Sequence, residues 1–325
     1  MSTTLEVAAG RLASLLVGGA TALSDARPNS LIEFDGDLEL RPLTRSSAPA
    51  EVWAVDGGQA LVADARCLQL VVTRSARVRF RRGACEVEEE GDLQAVLLGG
   101  SDERIAALAA LAVDGIDPSS SVDVNLVRDR WEWDAVSRSV DECGAGGMVL
   151  VDGDLQPDWR IPSSFLREVL ARAREGEVIV AGVTKHSSLA RGGAPLLGWL
   201  EREGQRRLGE RATWWARVGH TRGDVGGVQV VAARLDPDAR FSFRVDLPDW
   251  VDVEHALGAL SALSDDAAFP GYPYPLAAVD RLAACPGWLR ADIRNQLDEL
   301  LERAGVPFDV RERAFTDRHT LMERA

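Results

Sequence analysis

The sequence predicts an α/β protein built on a mixed sheet flanked by helices, and three observations carry that prediction. Residues 52–62 form an apolar run that ends on Asp56, turns on Gly57-Gly58 and continues apolar to Val62, which reads as a strand, a tight hairpin turn and a returning strand. Residues 148–155 repeat the pattern, with Met148-Val149-Leu150-Val151 closing on Asp152-Gly153. Residues 177–187 form a third apolar strand that ends in Thr184-Lys185-His186, behind a helical stretch at 162–174. A hairpin is antiparallel, whereas a strand–helix–strand crossover joins parallel strands, so the sheet is expected to be mixed.

The chain ends of these strands attract attention because Asp is depleted from strands, its short side chain competing for backbone hydrogen bonds. Asp56-Gly57 alone is equally a good turn dipeptide, but the second copy at Asp152-Gly153 changes the reading. Two such strands side by side would hold their carboxylates in mutual repulsion unless a cation were shared between them. A divalent metal suits that place.

Bulk properties set limits on function. The chain has 325 residues, 46% of them hydrophobic, enough for a full core in one domain. A formal charge of -14 works against indiscriminate nucleic-acid binding, so contact with DNA or RNA would need a local basic groove, a partner or bridging metal. An acidic active site is compatible with that balance. Cys67, Cys85, Cys143 and Cys285 form no C-x-x-C pair, which excludes a zinc knuckle and reads as reduced core residues of a cytoplasmic protein. Residues 4–23 suit an amphipathic helix, interrupted by Glu6 and Arg11, better than a signal peptide, and no later run is apolar enough for a bilayer.

Among 37 basic residues, Lys185 is the only lysine. An ammonium is a compact donor, unlike a guanidinium, and here it ends a strand on the edge of an α/β sheet, where sites collect. A sole lysine in Val183-Thr184-Lys185-His186 also excludes a Walker A loop.

The remaining elements follow in order. Residues 71–82 alternate as a strand, 102–113 read as a helix, and a helix beginning near Leu126 carries Asp129, Glu132 and Asp134, each most simply a solvated carboxylate. A charged helix is expected at about 196–211, then strands at 228–234 and 241–247 and a helix at 254–263. Both tyrosines of the chain, Tyr272 and Tyr274, fall in Tyr272-Pro273-Tyr274-Pro275. The prolines forbid a regular helix before Pro275, so a helix is expected from Leu276 to Ala284 with Asp280 just over one turn inside. An amphipathic helix at 291–303 and a polar tail to Ala325 close a single domain, 1–325, with its core at about 50–285.

Taken together, Ala54-Val55-Asp56-Gly57-Gly58, a helix Glu, Val151-Asp152-Gly153-Asp154-Leu155, Val180-Ala181-Gly182-Val183-Thr184-Lys185, Phe243-Arg244-Val245-Asp246, Tyr272-Pro273-Tyr274-Pro275-Leu276 and Asp280 resemble, in order and spacing, the NurA nuclease family. The resemblance runs from about Val52 to Asp280 and implies an RNase H-like fold. It further implies a manganese-dependent DNA nuclease, active in end resection during double-strand break repair, that works with the hexameric ATPase HerA; the missing P-loop and the acidic charge add the expectation of a homodimer that encloses DNA and docks on that ATPase. The metal residues of the family carry over to Asp56 and Asp152, and its helix Glu to Glu132, with Asp129 and Asp134 as other registers. Its tyrosine carries to Tyr272, and its late histidine falls on Asp280, a departure that still offers a hard oxygen ligand.

Asp56, Glu132, Asp152 and Asp280 would thus make an all-oxygen set for Mn²⁺ or Mg²⁺, with Lys185 stabilising charge on phosphate and Tyr272 completing the catalytic set. Two other classes share this pattern: a Piwi-like or RNase H-like nucleic-acid-binding module without catalysis, and another metal-dependent phosphoryl hydrolase. The N-terminal stripe Leu5, Leu12, Leu15 and Leu16 either packs on the sheet or forms the contact for the ATPase.

Overall fold

Alternating side chains that are apolar on both faces build the centre of the protein, in a computed structural model that describes residues 4–18, 20–27, 30–112, 115–222 and 226–316. Helix α1 (Thr4–Val17) is followed by the short strands β1 (Leu23–Asp25), β2 (Ile32–Phe34) and β3 (Arg41–Pro42). The long strands β4 (Glu51–Asp64) and β5 (Gln69–Arg81) come next, then β6 (Ala84–Glu90) and β7 (Gln94–Leu98). Helices α2 (Ser101–Leu111) and α3 (Val124–Glu142) lead into β8 (Met148–Asp152), α4 (Ser163–Glu175) and β9 (Ile179–Thr184). Strands β10 (Leu189–Arg191) and β11 (Ala194–Pro195) precede α5 (Leu196–Leu208). The meander β12 (Trp214–Thr221), β13 (Val228–Arg234) and β14 (Phe243–Pro248) is followed by α6 (Val253–Ala262), α7 (Tyr274–Ala283), α8 (Gly287–Arg303) and α9 (Phe308–Phe315).

Among the described residues one mixed sheet runs β2-β12-β13-β14-β9-β8-β4-β5-β6, with β3 on β12 and β7 on β5. Its heart is the hairpin β4–β5 beside the parallel strands β4, β8 and β9, the RNase H-like arrangement. Val52 pairs with Met148 and Val55 with Val151, while Leu150 pairs with Ala181.

Parity along these strands sorts the core. Val52, Ala54, Met148, Leu150, Ala181 and Val183 pack on one face with Leu257 and Leu260 of α6 and Leu276 and Val279 of α7. Trp53, Val55, Val149, Val151 and Val180 pack on the other with Val136 and Val140 of α3 and Val169 and Leu170 of α4. Both faces are covered, which is why the strands read as continuous apolar runs. Continuing the count, positions 56, 152 and 185 belong to the α7 face.

Several expectations are corrected. Gly57-Gly58 is no hairpin turn: β4 runs unbroken through it and reverses only at residues 65–68, where Ala65 N–H donates to Leu68 O (2.9 Å) and Arg66 takes φ 68°. The glycines are there for close approach from both sides. A Cβ on Gly57 would lie 2.7 Å from Glu132 Oε2, and one on Gly58 only 1.8 Å from Ala283 O.

The four cysteines are free but not core: Cys67 and Cys85 are exposed, in the β4–β5 turn and on the outer strand β6, and Cys143 and Cys285 are half-buried at helix ends. Helix α1 stops at Val17, ahead of Gly18, and buries none of its residues; Leu23, the last residue of the expected 4–23 helix, instead begins β1, paired with β10. Helix α7 starts at Tyr274, earlier than Leu276, because Pro273 caps it and Pro275 fits its first turn. Helix α8 likewise starts at Gly287 rather than 291, and a further helix, α9, precedes a tail whose residues 317–325 lie outside the described residues, as does Val113. Strand β12, which begins at Trp214, was not among the expected elements.

Candidate metal centre

Asp56 is the residue of β4 next after Val55, and Asp152 ends β8 next after Val151, so the parallel register sets them side by side on the α7 face. Asp280, nearly two turns into α7, meets them from above the sheet. One carboxylate oxygen from each of Asp56, Asp152 and Asp280 lies within 4.8 Å of the others. Helix α7 is held down by Arg74 of β5, whose Nη2 donates to Ala284 O (3.0 Å), and by the lack of any side chain at Gly58.

Lys185 closes the group. Its Nζ lies 2.6 Å from Asp152 Oδ2 and 2.5 Å from Asp280 Oδ1, and 5.3 Å from the centre of the Tyr272 ring. Burial lowers the Lys185 pKa, but the hydrogen bonds and charges of Asp152 and Asp280 outweigh it and raise the value, so the ammonium is retained. Tyr272 is buried against Phe243, ring centres 5.4 Å apart. Its hydroxyl faces Asp152 without being aligned for a full hydrogen bond, and burial together with the Asp152 charge holds it as the neutral phenol.

The carboxylates themselves are short of positive charge. Burial, and then the neighbouring Asp152, push the Asp56 carboxyl up to about 7, against the pull of Lys185 and the Gly57 N–H that donates to Asp56 Oδ1 (2.7 Å). Burial also raises Asp152, more than its hydrogen bond to Lys185 lowers it. Acids forced together and away from water in this way fit a hard divalent cation, and an all-oxygen donor set suits Mg²⁺ or Mn²⁺.

Glu132 is brought to the site but not into the triad. It is 6% exposed on α3, on the opposite face of the sheet, with Arg128 Nε 3.9 Å from its Oε2. Burial, then Asp129 and Asp56, raise its pKa well above the ordinary value. Of the three registers considered on this helix, Glu132 alone reaches the Gly57 backbone. Asp129 accepts from Asp158 N–H (3.1 Å) and from Arg128 (2.8 Å), while Asp134 pairs on the surface with Arg130 and Arg138.

Two groups had no role assigned from the sequence, although Arg244 lies in one of the quoted motifs. Arg128 stands beside Asp129 and Glu132, a pairing readable from the i, i+4 spacing once the helix register is known. Arg244 is 1% exposed and binds Asp246 through Nε and Nη2 at 2.7 and 2.8 Å, near Asp25 and Asp154. Asp246 also accepts from Leu155 N–H (3.2 Å), so the pair anchors the loop that leaves Asp152. Asp154 therefore belongs to that anchor, where Arg27 also binds it, and not to the metal centre.

Fold and site thus define an RNase H-like α/β protein with a carboxylate centre. Its comparisons with known proteins agree. The NurA domain model matches residues 203–285, a span that includes Arg244, Asp246, Tyr272 and Asp280. The NurA nuclease from Sulfolobus solfataricus shares the fold at TM-score 0.56 and 15% identity, over 82% of this chain and 88% of that one. Another NurA structure is similar at TM-score 0.45 and 8% identity over 74% and 85% of the two chains. The catalytic domain of human Endonuclease V is similar at 0.40 and 15% over 82% and 92%. No curated protein matches by sequence. The NurA domain match is confined to residues 203–285, and over most of the chain the fold is shared with the NurA nuclease from Sulfolobus solfataricus.

Proposed function

We propose that the protein is a metal-dependent nuclease that hydrolyses DNA phosphodiester bonds at Asp56, Asp152 and Asp280. The convergence of these three carboxylates from β4, β8 and α7 carries the reading. They would hold Mn²⁺ or Mg²⁺, with Glu132 supporting from the α3 side; a bound cation supplies Lewis-acid activation of water and phosphate.

The chain's own groups supply the rest. Lys185 sets a fixed positive charge between Asp152 and Asp280, where a phosphate oxygen gaining charge would meet it. Tyr272 keeps its proton and offers a donor directed at the same carboxylate edge. Burial raises the proton affinity of Asp56 and Asp152, so a cation binding between them would compete with protons for their oxygens.

The wider reading is that of the family: a cytoplasmic single-domain homodimer, working in double-strand break resection with a HerA-type ATPase. A chain with one lysine and no P-loop has no translocating engine of its own, and its charge of -14 favours a partner that retains the DNA. Leu5, Leu12 and Leu16 on α1 remain exposed, which supports this helix as the ATPase contact. Among the described residues no helix is long and apolar enough to cross a membrane.

The test is cleavage of end-labelled single- and double-stranded DNA by the purified protein with Mn²⁺, Mg²⁺ or EDTA. Cleavage that needs the metal supports the proposal; none under any condition, with the HerA-type ATPase present, overturns it. Light scattering that gives a strict monomer would overturn the dimer.

A further inference from the structure

Strand β1 lies antiparallel on β10, with Asp25 opposite Leu189, and just beyond it Ala26 N–H donates to Ser188 O (3.0 Å). The Asp25 side chain is 1% exposed, a rare place for a carboxylate. Donors reach it from two directions: Ser188 Oγ donates to Oδ1 (2.5 Å), and Arg27 donates to Oδ2 through Nε and Nη2 at 3.1 and 3.0 Å. Burial works to raise the Asp25 carboxyl, but the hydrogen bonds from Arg27 and Ser188 outweigh it and hold the value well below the usual range. The charge is therefore kept.

Arg27 carries the contact onward. Its Nη1 binds Asp154 and its Nη2 donates to Gln156 Oε1 (3.3 Å), while Arg244 Nη1 stands 3.9 Å from Asp25 and 3.7 Å from Asp154. Ser188 is three residues past Lys185, and Asp154 two past Asp152. At no more than about 3.6 Å of chain per residue, each hold grips its loop within about 11 Å of a side chain of the centre. The β8–β9 ladder ends at the Asp152–Val183 pair, so it does not itself reach Lys185.

We infer that Asp25 and Arg27 are positioning residues for the metal centre: residues 25–27 strap the loop after Asp152 to the loop after Lys185. The strap fixes how far the ammonium stands from the carboxylates. At 2.6 Å from Asp152 Oδ2, Nζ competes with a cation for that oxygen, so a small drift of either loop alters the room left for the ion. The inference deepens the nuclease reading and rests on it for what this spacing serves.

Two variants of the full chain test it, each touching one loop. Ser188→Ala removes the hydroxyl on the Lys185 side, and Arg27→Met removes the guanidinium on the Asp154 side. In EDTA, hydrogen–deuterium exchange should quicken about threefold or more across 152–156 in Ser188→Ala and across 185–188 in Arg27→Met, the loop that each variant leaves untouched. Ser188→Thr, which keeps the hydroxyl, should restore wild-type exchange. Calorimetry with Mn²⁺ alone should show affinity lowered about tenfold or more in Arg27→Met, the scale of losing a group that orients a metal ligand. A role confined to folding would lower the melting temperature and leave both readouts unmoved. Exchange that rises only in the altered loop, or Mn²⁺ affinity equal to that of the wild type, overturns the inference even if DNA is cut. Should Arg27→Met fail to fold, exchange in the two Ser188 variants decides alone. Coupled exchange and weakened Mn²⁺ binding in a protein that cuts no DNA support the strap and sink the nuclease reading instead.

Discussion

Asp56 and Asp152 stand abreast on parallel strands, one residue beyond the Val55–Val151 pair and on the face that α7 covers. Asp56→Asn or Asp152→Asn should lower cleavage by more than about a hundredfold, beyond what loss of a supporting group costs a metal site. The metal-free fold should hold or gain stability, because each change removes a repelled charge. Wild-type rates in either variant would remove the carboxylates from the chemistry.

Protonation of Asp56 gives the pH dependence. Its carboxyl is raised from the usual acid range to about 7, so the folded protein binds a proton that the unfolded chain has lost. That contribution is fully present below the unfolded value near 3.8 and is lost as pH rises through about 7. In EDTA, the melting temperature should therefore fall between pH 5 and pH 8, and Asp56→Asn should flatten the fall. Metal affinity should move the opposite way and rise with pH. Calorimetry in buffers of different ionisation heat should register proton release on Mn²⁺ uptake at pH 6.

Lys185→Arg should cut the rate about tenfold or more, although every other basic side chain that bears a permanent charge here is Arg. A planar guanidinium cannot sit where one compact Nζ reaches Asp152 and Asp280 at 2.6 and 2.5 Å. Single-turnover rates at saturating DNA would measure it, and an unchanged rate would make the lysine a bystander.

Gly58→Ala should destabilise the protein by about 2 kcal/mol or more, the scale of overpacking against an unyielding partner. Its new methyl would overlap the Ala283 carbonyl on α7, which is backbone and carries Asp280 above the strands. Gly57→Ala meets side chains rather than backbone, Glu132 Oε2 at 2.7 Å and Arg128 Cγ and Glu132 Cβ at 3.0 and 3.2 Å, so α3 has to give by only a few tenths of an ångström and the loss of stability should be smaller. Paired urea titrations would rank the two.

The two Asp-terminated strands, the crossover helix before Lys185 and the late Tyr-Pro segment are all visible in the sequence, because apolar runs and their breakers are local. The grouping of Asp56, Glu132, Asp152, Lys185, Tyr272 and Asp280 came instead from the resemblance to the NurA family, carried by the order and spacing of these motifs. What the sequence could not decide is which partner lies across the sheet. Gly57-Gly58 has the composition of a turn, and only α3 and α7 pressing on either side of β4 explain why glycine is needed there. The placing of Asp280 and Glu132 on opposite faces of the sheet was likewise beyond the sequence. Strand parity puts 56 and 152 on the α7 face, so the Asp280 oxygens come close to theirs while Glu132 lies on the α3 side, and parity acquires a direction only when the helices are docked.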